Sequence, residues 1–150
     1  MKFKNYLKSI TCVTICVAGF SPLVSMADAC SSKDTIFIST NNDTSASLIA
    51  ETSVNGAFFN KPPKSPLNTE FSYPGAQVTN DATGSCGSVS ISYKAGNNYV
   101  CQFDITFKPQ NNWNASATQK DPAFICAIQS ISAPPNTGLP PIPMLVINPR

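Results

Sequence analysis

Few side chains in this sequence have the types and spacing that do chemistry. None of its 150 residues is histidine, which removes Ser-His-Asp and Cys-His arrangements and the usual general base near neutral pH. Glycine-rich phosphate loops and Cys-x-x-Cys zinc spacings are missing as well. Two carboxylates flanking a sugar would serve a glycosidase; the candidates are Asp104, on the polar face of a strand, with Glu51 or Glu70. They stand singly and read as solvated surface charge, so no catalytic residue is assigned and the chain is expected not to be an enzyme. Asn41-Asn42-Asp43-Thr44 offers oxygen ligands but lacks the acidic pattern of a calcium loop. It reads as a turn, and neither a metal nor another cofactor is expected.

The most distinctive surface segment is Pro109-Gln110-Asn111-Asn112-Trp113-Asn114, which holds the single tryptophan of the chain. A flat apolar ring with one polar edge stacks on a sugar or seats itself in a lipid interface. Alternatively, Trp113 folds back and plugs the open end of the fold. Trp113, Asn112 and Asn114 are therefore the candidate binding residues. Phe58-Phe59, just ahead of the proline-rich segment 61–66, invites the same two readings.

The N-terminus sets the expected compartment. A basic segment (Lys2, Lys4, Lys8) precedes an apolar run from Ile10 to Phe20, and small residues follow at Ser25-Met26-Ala27 and Ala27-Asp28-Ala29. These are the parts of a secretory signal, with cleavage after Ala27 or Ala29. The run is too short and interrupted to span a bilayer, which takes about 20 apolar residues. A lipoprotein signal wants an aliphatic residue three before its cysteine and a small one two before; Ala27 and Asp28 hold those positions. Cys30 is thus expected to be half of a disulfide rather than a lipid anchor.

Loss of the leader changes the charge. Three of the ten cations leave with it, and seven remain against up to eight carboxylates. With one arginine and no basic run, the electrostatic footprint of a nucleic-acid surface is missing. Near-zero net charge favours weak self-association. Cys12 and Cys16 also leave, and Cys30, Cys86, Cys101 and Cys126 remain, enough for two disulfides in one of three pairings.

Strand signals dominate the rest of the chain. Thr35-Ile36-Phe37-Ile38-Ser39 and the alternating run Ala46 to Val54 read as a hairpin around Asn41-Asn42-Asp43, with Ile49 on the outer face. Prolines 62, 63 and 66 mark a rigid connection. Short strands are expected at Phe71 to Tyr73 and Ala76 to Thr79, broken by Pro74-Gly75. The clearest unit is a hairpin around Ala95-Gly96-Asn97-Asn98, with Val89, Ile91 and Tyr93 facing inward on one arm and Tyr99, Cys101, Phe103, Ile105 and Phe107 on the other. Residues 108–122 read as a loop, followed by a strand from Ala123 to Ile131 that turns Phe124, Cys126 and Ile128 inward. Cys101 and Cys126 then both point into the core, which favours Cys101–Cys126 and leaves Cys30–Cys86. From Ala133 a proline-rich connection leads into a last strand at Met144-Leu145-Val146-Ile147. The expected fold is a single all-β antiparallel sandwich of about seven to nine short strands, with the signal over 1–27, the sandwich over 28–132 and the final connection and strand over 133–150.

The order of Asn41 to Leu48, Asn55-Gly56-Ala57-Phe58, Pro62-Pro63 and the glycine-flanked strand Gly84 to Tyr93 resembles small exported bacterial β-sandwich proteins with an aegerolysin-like outline. That resemblance implies a compact sandwich able to bind membrane lipids and carries no functional residue across. Four cysteines, a proline-rich tail and a single tryptophan set this chain apart. The expected function is a non-enzymatic binding module for a glycan, lipid or protein, secreted or periplasmic. The other reading is a structural subunit of a coat or pilus-like assembly that exchanges edge strands.

Overall fold

The computed structural model describes residues 29–68, 72–81, 85–133, 135 and 138–150. The expected signal lies outside these residues, apart from Ala29. The described chain is all β: β1 (Thr35–Asn42), β2 (Leu48–Asn55), β3 (Ala57–Lys61), β4 (Ser72–Asn80), β5 (Ser88–Ala95), β6 (Asn98–Lys108), β7 (Asn112–Gln119), β8 (Phe124–Ile131) and β9 (Ile142–Pro149). They form two sheets, ordered β3-β4-β1-β9-β8 and β2-β5-β6-β7. The expected sandwich is therefore the fold.

Alternation along β5 and β6 builds its centre. Val89, Ile91, Tyr93, Cys101, Phe103, Ile105 and Phe107 all turn inward and are at most 2% exposed. From the facing sheet, Ile36 and Ile38 of β1, Ala76 and Val78 of β4, and Leu145 and Ile147 of β9 meet them. Each large apolar side chain buried this way stabilises the fold by roughly 1.5–3 kcal/mol. Tyr93 and Phe103 meet edge to face at 6.2 Å, and the Tyr93 hydroxyl hydrogen-bonds Thr40 Oγ1 across the sandwich at 3.0 Å. Gly96, at φ +61°, supplies the left-handed backbone of the two-residue turn.

Both favoured disulfides are present. Cys101–Cys126 joins β6 to β8 across the two sheets with Cα atoms 5.8 Å apart, and Cys30–Cys86 ties the N-terminal segment to the start of β5 with Cα atoms 5.0 Å apart. Both separations lie within the range a disulfide needs. Closing loops of 25 and 56 residues in the unfolded chain is worth on the order of 3–4 kcal/mol each. The bridges are consistent with an oxidising location, extracellular or periplasmic.

Five expectations are corrected. First, β1 and β2 do not form a hairpin; they lie in different sheets. Asn42, 1% exposed, donates through Nδ2 to the carbonyls of Ala46 and Leu67. Its Oδ1 accepts from the Thr44 hydroxyl at 2.6 Å. This buried network draws the turn across the end of the sandwich, and β1 has no free edge because β4 and β9 flank it. Second, Val54 is 46% exposed, because β2 is an edge strand whose second half is open to solvent.

Third, β4 runs unbroken through Pro74-Gly75. The pair sits where the β1–β4 register shifts, between the partners Ile38↔Ala76 and Thr40↔Ser72, a position where a missing N–H is tolerated. Fourth, the expected loop 108–122 contains β7. A tight turn with Gln110 and Asn111 at φ +64° and +58° reverses the chain, and Trp113, Ala115 and Ala117 alternate with polar residues. Two of those inward side chains are only alanines, which weakens the sequence signal. Finally, the expected last strand is present as β9, but the pairing is not antiparallel throughout: β9 pairs in parallel with β1 and antiparallel with β8.

Burial pushes the Tyr93 hydroxyl up to about 12 from an ordinary value near 10. The folded state thus holds its proton between pH 10 and 12 while the unfolded state releases it, so the contribution is complete below pH 10 and is lost as pH rises through 12. Thermal or urea unfolding should show a loss of about 2–3 kcal/mol across that window. Tyr93→Phe should flatten this alkaline slope while costing about 1 kcal/mol at neutral pH through the lost hydrogen bond to Thr40.

Candidate functional site

The expected trio at Trp113 does not form one cluster. Along β7 the side chains alternate, so Asn112 and Asn114 face solvent while Trp113 turns toward the core. Its indole Nε1 donates to the Pro141 carbonyl at 2.7 Å. The polar edge that would orient a sugar or a lipid headgroup is thus engaged at the entry to β9, and the ring packs, partly buried, against the core. Phe59 likewise packs against the core, whereas Phe58 is 44% exposed.

What β7 contributes instead is its outer face. Inward apolar residues on β5 and β6 force the alternate residues outward, and the ladders align them in rows. Asn55, Ser88, Thr106 and Asn114 form one row, Ser53, Ser90, Asp104 and Ser116 the next, and Glu51, Ser92, Gln102 and Thr118 a third. Row neighbours sit about 4.7–4.9 Å apart, and rows repeat about every 7 Å along the strands. All twelve positions are polar, and most are small.

Small side chains between larger ones leave a trough. One part, of about 210 Å³, is lined by residues including Ser53, Asn55, Ser88, Ser90, Asp104 and Thr106. An adjoining part, of about 170 Å³, shares Ser53 and Ser90 and reaches Glu51 and Ser92. Four serines (Ser53, Ser88, Ser90 and Ser92) line it with hydroxyls that both donate and accept, alongside Val54, Val89 and Ile105.

Beyond the third row stands a polar cluster. The sequence pattern places Tyr99 inside, but the structure places it outside at 45% exposure. The cause is a bulge: Tyr93 pairs with Cys101 while Lys94 pairs with Tyr99, so Val100 is the extra residue. An inserted residue reverses the face of everything before it. Val100 goes in, and the Tyr99 hydroxyl donates to Glu51 Oε2 at 2.6 Å. Lys94 forms an ion pair with the other Glu51 oxygen, and its ammonium lies 4.3 Å from the Tyr99 ring centroid. Hydrogen bonds from Lys94 and Tyr99 hold the Glu51 carboxyl below the usual carboxylate range, and Glu51 holds Lys94 above its ordinary value.

The glycosidase candidates Asp104 and Glu51 do meet on this face, while Glu70 lies outside the described residues. They are two strands and one row apart, about 12 Å between Cα atoms by sheet geometry. A general acid needs a raised carboxyl pKa, and Glu51 is shifted the other way. Elsewhere, the Asn41–Asp43 turn engages its own oxygens: Asn41 Nδ2 donates to Asp43 Oδ2, and Asn42 Oδ1 serves Thr44. Among the described residues no group of three or more acidic, cysteine or histidine side chains is placed to hold a metal. The Cys30 sulfur, bonded to Cys86, is not free to carry a thioether-linked lipid.

Truncating Trp113 should register in stability. Trp113→Ala is expected to lower the unfolding free energy by about 1–3 kcal/mol in urea titrations, through lost packing and the lost bond to Pro141. Asn114→Ala, on the exposed face, should change it by less than about 0.5 kcal/mol.

No protein-family model matches this chain, and no curated protein matches it in sequence.

Proposed function

We propose that this protein is an exported, non-enzymatic binding module that takes a glycan in the serine-lined trough of its four-stranded sheet. The observation that carries this reading is the continuous polar face itself. Ser53, Ser88, Ser90 and Ser92 offer hydroxyls at regular spacing beside Asp104 and Asn55, with exposed Tyr99 beyond the third row. A polyhydroxylated ligand exchanges hydrogen bonds with such a surface in both directions, because each serine donates one and accepts up to two. The ladders hold the face rigid, so little ordering cost falls on binding.

The lipid reading draws less support, because Trp113 is turned inward and its polar edge is bonded to Pro141. The assembly reading needs strands free to exchange, and the apolar C-terminal strand is the natural candidate. That strand is the fourth of five in its sheet, with Leu145 and Ile147 fully buried, so exchanging it would open two ladders at once. Export is supported by the basic–apolar–small order of the leader and by the two disulfides.

The test is a glycan array followed by calorimetry on the mature protein. Ser90→Tyr fills the trough without touching the core and should weaken binding at least tenfold, with unchanged circular dichroism and melting. A wild-type protein that retains no glycan, or a Ser90→Tyr variant that binds as tightly as wild type, overturns the reading.

A further inference from the structure

We infer that the ligand of this trough carries a cationic amine, received by Asp104; the inference rests on the glycan reading above and specifies an amino sugar within it. Asp104 sits in the middle row, in register with Ser90 on one side and Ser116 on the other. It is half-buried and lines the larger part of the trough. Its two oxygens share a single donor, the Gln102 Nε2, at 3.1 Å each. An ionised carboxylate accepts at about four lone-pair sites, so most of its capacity is unmet by the protein.

No cation among the described residues pairs with it. Lys94 is engaged by Glu51 and Tyr99. Lys108, four residues along β6, is about 13 Å away by strand rise. The neighbouring side chains Ser53, Ser88, Ser90 and Thr106 are neutral. The trough therefore presents one uncompensated negative charge within a field of hydroxyls. Sugar hydroxyls satisfy the serines, and an ammonium gives Asp104 a charge-assisted hydrogen bond, roughly twice as strong as a neutral one. An acidic sugar meets repulsion instead.

Three probes test this by calorimetry at low salt: a β-1,4-linked glucosamine oligomer with free amines, its fully N-acetylated counterpart, and spermine, an amine without a sugar ring. Wild type should bind the free-amine oligomer roughly tenfold more tightly than the acetylated one, and added salt should shrink the difference. Asp104→Asn, nearly isosteric on an outer face, should erase the preference, so that both oligomers bind with the same affinity. Asp43→Asn, which removes the same charge at a distant exposed turn, should preserve it. Equal affinity for both oligomers overturns the amine assignment and leaves the glycan reading standing. A preference that survives Asp104→Asn overturns Asp104 as the acceptor. Spermine binding as tightly as the amino sugar, through Asp104, supports the amine site and overturns the glycan reading. Binding of none of the three overturns both.

Discussion

Removal of one hairpin face from water is the constraint on which the other features rest. The inward side chains of β5 and β6, from Val89 to Phe107, are essentially without solvent contact. Because a strand has only two faces, burying one set of alternate residues aims the other set outward. The outward set here is Ser88, Ser90 and Ser92 on one strand and Gln102, Asp104 and Thr106 on its neighbour. The candidate site is thus the reverse side of the core, and its spacing is the spacing of the ladders. A one-residue slip of β6 against β5 would turn Phe103 and Phe107 outward, so stability and site geometry are held by the same hydrogen bonds.

Two local irregularities adapt this regular frame. The bulge at Val100 separates residues that simple alternation would put together: it keeps Cys101 inside, where it reaches Cys126, and sends Tyr99 outside to Glu51. The second is a close approach of backbones at Gly87. A Cβ there would collide with the Gly56 carbonyl, so only glycine lets the chain entering β5 pass the β2–β3 turn. Asn80 completes that corner, accepting from the Gly87 N–H at 2.7 Å and donating to the Ser31 carbonyl. The Cys30–Cys86 bridge closes over the same region. This end of the sandwich is held by covalent and polar bonds, whereas the middle is held by apolar packing.

Several polar groups drawn into the interior are matched, although among the described residues the buried Asn148 Oδ1 has no hydrogen-bond partner. Tyr93 meets Thr40, and Asn42 meets Ala46, Thr44 and Leu67. Matching matters because an unpaired buried polar group costs about 1–3 kcal/mol. These pairs also bear on the path of the chain: Asn42 donates to the carbonyl of Leu67, which itself bridges Leu48 at the start of β2, and so ties the segment after β1 to the second sheet. Trp113 acts similarly at the other edge, where its bond to Pro141 guides the proline-rich segment into β9.

Local pattern was enough to read the all-β class, the β5–β6 hairpin and the inward set of β8, because each depends on period-2 alternation within a single run of residues; Cys101–Cys126 followed from two such runs each turning a cysteine inward, and Cys30–Cys86 from what remained. Asn112, Trp113 and Asn114 were legible as unusual but not as divergent; their separation follows from alternation along a strand whose inward alanines are weak signals. The placement of β9 between β1 and β8, the crossing of the chain after Asn42, and the outward turn of Tyr99 follow from partners far away in sequence, which no local period encodes. The trough belongs to this second group. Serines on β2 and β5, separated by more than thirty residues, become one surface only when the ladder sets them side by side. Periodicity shows which residues avoid water, but which exposed residues become neighbours is decided by strand pairing in three dimensions.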